Sequence, residues 1–209
     1  MAGTLIFYGD SNTFGYDPTE PLTARYPADV IWTGILQEKT DCKVINRGEC
    51  GREIPHSEAQ ISFVLRQMEN WRREMRPVQL WVMLGTNDLL KMPHAAAEDV
   101  AERMTCFLKQ LLQSPSALEG EITLKLMGPP LLRRGSWVTD ERLLAESRRL
   151  EAAYRAAAEE LGISWISTAG WGLPLCSDGV HLTAEGHRLF AEHMLEVLEE
   201  QQIPPGTES

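Results

Sequence analysis

The sequence predicts an α/β protein built on a parallel sheet with helices on both faces. Three observations carry that expectation. Short apolar runs of strand length alternate along the chain with longer segments whose apolar residues recur at three- and four-residue spacing. The run Val78-Gln79-Leu80-Trp81-Val82-Met83-Leu84 is continuously apolar enough to read as a central strand buried on both faces. Several of these runs end on polar, glycine-bearing segments, as strands do where they enter loops.

In chain order, residues 3–9 form the first strand, which stops on Gly9-Asp10-Ser11. Residues 12–29 carry Gly15, Pro18, Pro21 and Pro27 without a period and read as a loop walling whatever site lies at Ser11. Ile31, Ile35 and Leu36 predict a helix over 30–40, with Trp32 on its face or on the loop side. Val44-Ile45-Asn46 is a short strand running into a loop through Gly51. Ile61, Val64, Leu65, Met68 and Trp71 form one stripe of a helix over 57–75, with Ser57 as a candidate cap. The central strand ends on Gly85-Thr86-Asn87-Asp88, and Val100, Met104, Phe107, Leu108 and Leu111 mark the next helix. Ile122, Leu124 and Leu126 alternate with Thr123 and Lys125, the pattern of a half-exposed strand, stopped by Gly128-Pro129-Pro130.

Residues 131–138 form a second loop over the same end of the sheet. Thr139 or Asp140 caps a long helix with Leu143, Leu150, Tyr154 and Ala157 inward, and Gly162 ends it. Residues 163–166 are the fifth strand. After a loop through Asp178-Gly179-Val180-His181, Thr183 caps a last helix with Leu189, Phe190, Met194, Val197 and Leu198 on one face. Residues 1–201 are expected to form a single domain, and 202–209 a frayed tail.

Composition narrows the function classes. The chain has 209 residues, 43% of them apolar, and balances 20 basic against 30 acidic residues for a net charge of −10. That balance speaks against a nucleic-acid or anionic-membrane surface. The pairs Arg72-Arg73, Arg133-Arg134 and Arg148-Arg149 read as solvated faces. The four cysteines, Cys42, Cys50, Cys106 and Cys176, include no Cys-x-x-Cys pair and suit free thiols in a reducing compartment. With no secretory leader pattern and no apolar run of spanning length, a cytoplasmic protein is expected. P-loop, Gly-x-Gly-x-x-Gly, His-Glu-x-x-His and Gly-x-Ser-x-Gly patterns are all missing from the sequence.

Right-handed crossovers would bring the carboxyl ends of all the strands to one rim. The segments around Ser11, Gly51, Asn87 and Asp178/His181 therefore converge there. A serine displayed at a strand end needs a base to become a nucleophile. Of five histidines, His181 follows Asp178 by three residues in a loop, so one turn can present the carboxylate to the imidazole while the other ring nitrogen faces Ser11. His187 and His193 read as helix-face residues, and His56 and His94 as loop or surface residues. A zinc site from His181, Glu185 and His187 is disfavoured because a helix start points them apart. Each fragment has a plain alternative when taken alone: Ser11 as a helix cap, Gly51 as a turn, Asn87-Asp88 as an Asx turn, and Asp10 and Asp88 as structural acids. Cys50 reads as a small packing residue. Trp32, Trp137 and Trp171 read as packing or as walls of an acyl or aryl pocket.

Taken together, Gly9-Asp10-Ser11, Gly51, Gly85-Thr86-Asn87-Asp88 and Asp178-Gly179-Val180-His181 resemble the four ordered blocks of the SGNH (GDSL) hydrolases, over nearly the whole chain. Residues 29–34, Asp-Val-Ile-Trp-Thr-Gly, further resemble the arylesterase/acyltransferase branch. The resemblance implies a flavodoxin-like three-layer α/β/α sandwich with a five-stranded parallel sheet. It implies Ser11 as nucleophile, His181 as base and then acid, and Asp178 as the orienter of His181. It also implies an oxyanion hole from the backbone N–H groups of Ser11 and Gly51 and the Asn87 amide. No metal or organic cofactor is implied. The expected partner is a small-molecule ester, with a homo-oligomer left open. The expected activity is cleavage of small or short-acyl esters through an acyl-serine. An acyltransferase using the same site, cued by Trp32-Thr33-Gly34, and a catalytically silent carbohydrate- or acyl-binding module are the alternatives. Two departures stand out: Asn12 where the family often has leucine, and the charged pair Arg52-Glu53 after Gly51 where a small polar residue is commoner, a change that bears on the acyl pocket.

Overall fold

The computed structural model describes residues 3–20, 24–75, 77–92 and 94–201; Pro21 of the first loop and the tail expected at 202–209 lie outside the described residues. The chain runs β1 (Thr4–Gly9), α1 (Ser11–Phe14), α2 (Trp32–Lys39), β2 (Lys43–Gly48), α3 (Glu58–Glu74), β3 (Val78–Met83) and α4 (Thr86–Lys91). It continues through α5 (Ala97–Leu112), α6 (Pro115–Leu118), β4 (Ile122–Met127), α7 (Glu141–Leu161), β5 (Ser164–Ile166) and α8 (Ala184–Glu200). The described strands form one five-stranded sheet in the order β2-β1-β3-β4-β5, and every neighbouring pair is parallel. Gly9 is level with Gly48 on one side and Met83 on the other, so three strands end together at the rim.

Period-two alternation sorts the strand side chains onto two faces. Ile6, Tyr8, Leu80, Val82, Leu124 and Leu126 face one way, into a cluster with Val64 and Met68 of α3, Phe107 and Leu108 of α5 and Tyr154 of α7. Leu5, Phe7, Trp81, Met83 and Met127 face the other way, against Trp32 and Leu36 of α2 and Phe190 and Met194 of α8. The result is a three-layer α/β/α sandwich. Burying each such side chain stabilises the fold by roughly 1.5–3 kcal/mol, so both faces, not one, hold the sheet.

Local signals set the helix ends. Ser57 accepts from the Gln60 N–H while the Gln60 side chain reaches back to the Ser57 N–H, closing a capping box. Of the two candidate caps for α7, Asp140 takes the role, accepting from the Arg142 N–H. Thr183 caps α8 through the Gly186 N–H.

Two expectations need correction. Residues 12–14 are not loop but belong to α1, a helix too short to show a periodic stripe. Residues 86–88, directly after the central strand, open α4. Lys125 is buried, not half-exposed. Thr123, on the same face, is exposed as expected, and Lys125 differs because Trp81 and the end of α8 cover it. The Lys125 ammonium lies 5.1 Å from the Trp81 ring centroid and donates to Gln201 Oε1 at 2.6 Å, and burial lowers its pKa.

Candidate active site

Ser11 is the first residue of α1, immediately beyond the end of β1. Its turn is tight because Gly9 has no side chain: a Cβ there would fall 2.7 Å from the Thr13 Cβ. Asp10 caps the turn, its Oδ1 accepting the Asn12 N–H at 3.0 Å.

From the far end of the chain, the loop before α8 brings His181 to this point. His181 Nε2 lies 3.0 Å from Ser11 Oγ, and His181 Nδ1 lies 2.7 Å from Asp178 Oδ2. Asp178 Oδ1 also accepts the N–H groups of Val180 at 2.8 Å and His181 at 3.0 Å. Burial pushes the Asp178 carboxyl up, but the bonds from the His181 ring and from the two backbone N–H groups prevail and hold it below its ordinary 3.8. A charged Asp178 requires the Nδ1–H tautomer of His181, which leaves Nε2 free to accept the serine proton. The loop is fixed from outside by residues 131–138: Arg133 N–H donates to Gly179 O, Ser136 N–H to Ser177 O and Trp137 N–H to Asp178 O, at 3.0–3.1 Å.

Asp10 is the opposite case. Its Oδ2 is buried without a hydrogen-bond partner among the described residues. Burial raises its pKa to about 6, against the pull of the Asn12 N–H and the Arg52 charge.

The other predicted contributors come from two more loops of the rim. Gly51 sits at φ +75°, a conformation open to glycine at little cost. The Asn87 amide, in the first turn of α4, donates one hydrogen to Arg52 O at 3.1 Å, which leaves its second hydrogen uncommitted by that bond. Asp88, next in the chain, is structural: Oδ2 accepts the Ile54 N–H at 3.1 Å and Oδ1 accepts from Arg103 at 2.9 Å. The departure at Arg52-Glu53 resolves into three ion pairs. Arg52 turns back over the Tyr8 ring, donates to Gly9 O at 2.7 Å and to Arg47 O, and pairs with Glu49 at 2.6 Å. Glu53 pairs with Lys91 at 3.2 Å and with Arg103 at 3.7 Å. A cavity of about 510 Å³ opens beside Gly51, with Tyr8, Arg52, Glu53, His56 and Phe63 in its wall.

The remaining candidates separate cleanly. Trp32 is fully buried and donates its indole N–H to Asn12 O at 2.9 Å, and Trp171 packs on Phe190 and His193. Trp137 stands apart: it is more than half exposed and lies edge-on to His181, with ring centroids 5.1 Å apart. Tyr16, which no periodicity singled out, covers the imidazole at 4.6 Å. His187 is buried in the core, and burial lowers its pKa to about 4, so it stays neutral. Cys50 is exposed, and partial burial followed by the Asp10 charge raises its thiol pKa, which disfavours the thiolate. Among the described residues, no group of three or more His, Cys, Asp or Glu is arranged to hold a metal ion, and no helix is long and apolar enough to cross a membrane.

Asn12 is the functional candidate that sequence reasoning undervalued. Its amide reaches the His181 loop, bonding Val180 O and the Leu182 N–H; the available signal was an asparagine beside the serine where the family often has leucine.

A family model described as GDSL-like Lipase/Acylhydrolase matches residues 7–189. Solved structures share the fold across the chain. An aryl esterase from M. smegmatis is 22% identical with a TM-score of 0.78, the match covering 95% of this chain and 99% of that one. A carbohydrate acetylesterase from Sinorhizobium meliloti is 20% identical with a TM-score of 0.76, at the same coverages. A member of the lipolytic G-D-S-L family from Veillonella parvula is 21% identical with a TM-score of 0.66, covering 94% and 98%. No curated protein matches the chain.

Proposed function

The chain belongs to the GDSL-like lipase/acylhydrolase family, and from that premise we propose that it is a serine esterase acting on small or short-acyl carboxylic esters. The observation that carries this reading is the hydrogen-bonded series Ser11 Oγ, His181 Nε2, His181 Nδ1 and Asp178 Oδ2, joined at 3.0 and 2.7 Å.

In the proposed reaction, Ser11 Oγ attacks the ester carbonyl carbon as His181 Nε2 takes its proton. Asp178 stabilises the imidazolium through Nδ1–H. The carbonyl electron pair moves onto oxygen, where the N–H groups of Ser11 and Gly51 and the free hydrogen of Asn87 are the proposed donors. As the pair returns, the C–O bond to the alcohol breaks, and His181 hands its proton to the leaving oxygen. Water then attacks the acyl-serine, giving its proton to His181, and collapse releases the carboxylic acid and restores the Ser11 hydroxyl.

Two features support small substrates. Ser11 and His181 are both buried, and Tyr16 and Trp137 crowd the imidazole. Transfer of the acyl group to an alcohol at the same site is the second reading, cued by Trp32-Thr33-Gly34, and product partition in mixed water and alcohol separates it from hydrolysis. The test is a panel of p-nitrophenyl esters of graded acyl length on wild type and Ser11→Ala. Turnover should be greatest for the shortest chains and should fall by about 10⁴ or more in the variant. Equal turnover by the two proteins refutes the assignment of Ser11. Failure of a fluorophosphonate probe to label wild type at Ser11 would favour a silent binding module.

A further inference from the structure

We infer that Asn12 is a positioning residue that locks the His181 loop onto the nucleophile turn and sets the distance between His181 Nε2 and Ser11 Oγ. The inference rests on the esterase reading for its kinetic consequence, though not for its geometry.

Asn12 is buried, and each of its polar groups is matched. Its backbone N–H goes to Asp10 Oδ1 at 3.0 Å, and its backbone C=O accepts the Trp32 indole N–H at 2.9 Å. These two bonds hold the Asn12 backbone to the cap and to α2. The side chain faces the other end of the chain. Nδ2 donates to Val180 O at 3.0 Å, and Oδ1 accepts the Leu182 N–H at 2.9 Å. The two contacts fall on either side of His181. One amide therefore clamps the backbone before and after the imidazole, while the preceding residue in the same turn presents the hydroxyl that the imidazole must reach.

Among the described residues, no other side chain bonds the backbone on both sides of His181 from the nucleophile turn. The 131–138 loop fixes residues 177–179, and the Asp178 carboxylate holds the Val180 and His181 N–H groups, all within the base loop or beside it. Those contacts shape the loop. The two Asn12 bonds tie it to the serine. The geometry needs a donor and an acceptor side by side on a short stem, which asparagine supplies. Leucine has nearly the same outline and offers neither, leaving a buried C=O and a buried N–H unpaired. Aspartate keeps an acceptor for Leu182 and loses the donor for Val180 O.

A misplacement of about 1 Å in a reacting pair can cost on the order of 10² in rate. Asn12→Leu is therefore expected to lower kcat by about 10² for the shortest ester while KM stays within about twofold, with Asn12→Asp between it and wild type. Folding of each variant is checked by thermal denaturation. The second readout is the low-field proton resonance of His181 Nδ1–H, which reports the bond to Asp178 without any substrate. It should be sharp in wild type and shifted or broadened in Asn12→Leu. A folded leucine variant with wild-type kcat and an unchanged resonance overturns the inference. If that variant does not fold, wild-type kcat and an unchanged resonance in Asn12→Asp overturn it. If wild type shows the resonance but cleaves no ester, the esterase reading fails, and the resonance alone decides whether Asn12 sets the loop.

Discussion

Asp10 should make the protein less stable as its carboxyl ionises, so Asp10→Asn should gain stability relative to wild type as pH rises. The carboxyl is fully buried, Oδ1 carries the cap bond to the Asn12 N–H, and Oδ2 has no partner among the described residues. Its pKa rises from 3.8 to about 6 on folding, chiefly from burial. Below 3.8 the group is neutral in both states and contributes nothing. As pH rises from 3.8 through 6, the unfolded chain releases its proton more readily than the folded one, and stability falls. The difference of about 2.2 at ~1.4 kcal/mol for each tenfold gives ~3 kcal/mol as the full loss above pH 6. Asparagine still accepts at the cap, and any cost of seating its NH₂ is the same at every pH. The pH-dependent part can therefore be separated from that offset. Urea denaturation of both proteins at pH 4, 5, 6, 7 and 8 measures it. The variant's stability relative to wild type should climb by up to ~3 kcal/mol between pH 4 and 7 and then level off. A difference that stays flat with pH, or that moves in wild type's favour, refutes the reasoning.

Asp178 should behave with the opposite sign. Its pKa is depressed below 3.8, so its stabilisation is present above that value and is lost as pH falls below it toward the folded-state pKa; acid titration of Asp178→Asn by circular dichroism should lack that loss. In the same variant, an NH₂ facing Nδ1 imposes the wrong imidazole tautomer, and kcat for the shortest ester should fall by about 10⁴, measured by steady-state hydrolysis. Arg103→Leu strips Asp88 of its 2.9 Å ion pair while the carboxylate stays buried. Because Arg103 is partly exposed and the Ile54 bond survives, the cost should be roughly 2–3 kcal/mol, under the 3–5 kcal/mol of a fully buried pair, read as a lowered thermal midpoint.

The fold was legible because its signals are local. The continuous apolar run of β3 announced burial on both faces, and Ser57, Thr183 and Gly162 marked helix ends where the structure has them. Convergence at the rim followed from topology, since parallel strands with right-handed crossovers leave no other place for the loops after β1, β2 and β3. What stayed hidden depends on partners distant in the chain. Lys125 looked exposed because its shelter, the Trp81 ring and the end of α8, is invisible from β4's own sequence. The Arg52-Glu53 pair stood out as a departure, but its own sequence did not show that Arg52 folds back on Gly9, Arg47 and Glu49. Asn12 is the sharpest instance. Leucine at that position would satisfy any pattern of apolar burial, and the need for an amide arises only when the Val180 carbonyl and the Leu182 N–H arrive about 170 residues later. Polarity at a buried position beside a nucleophile is therefore a sign that a distant backbone segment must be held there, and here that segment carries the base.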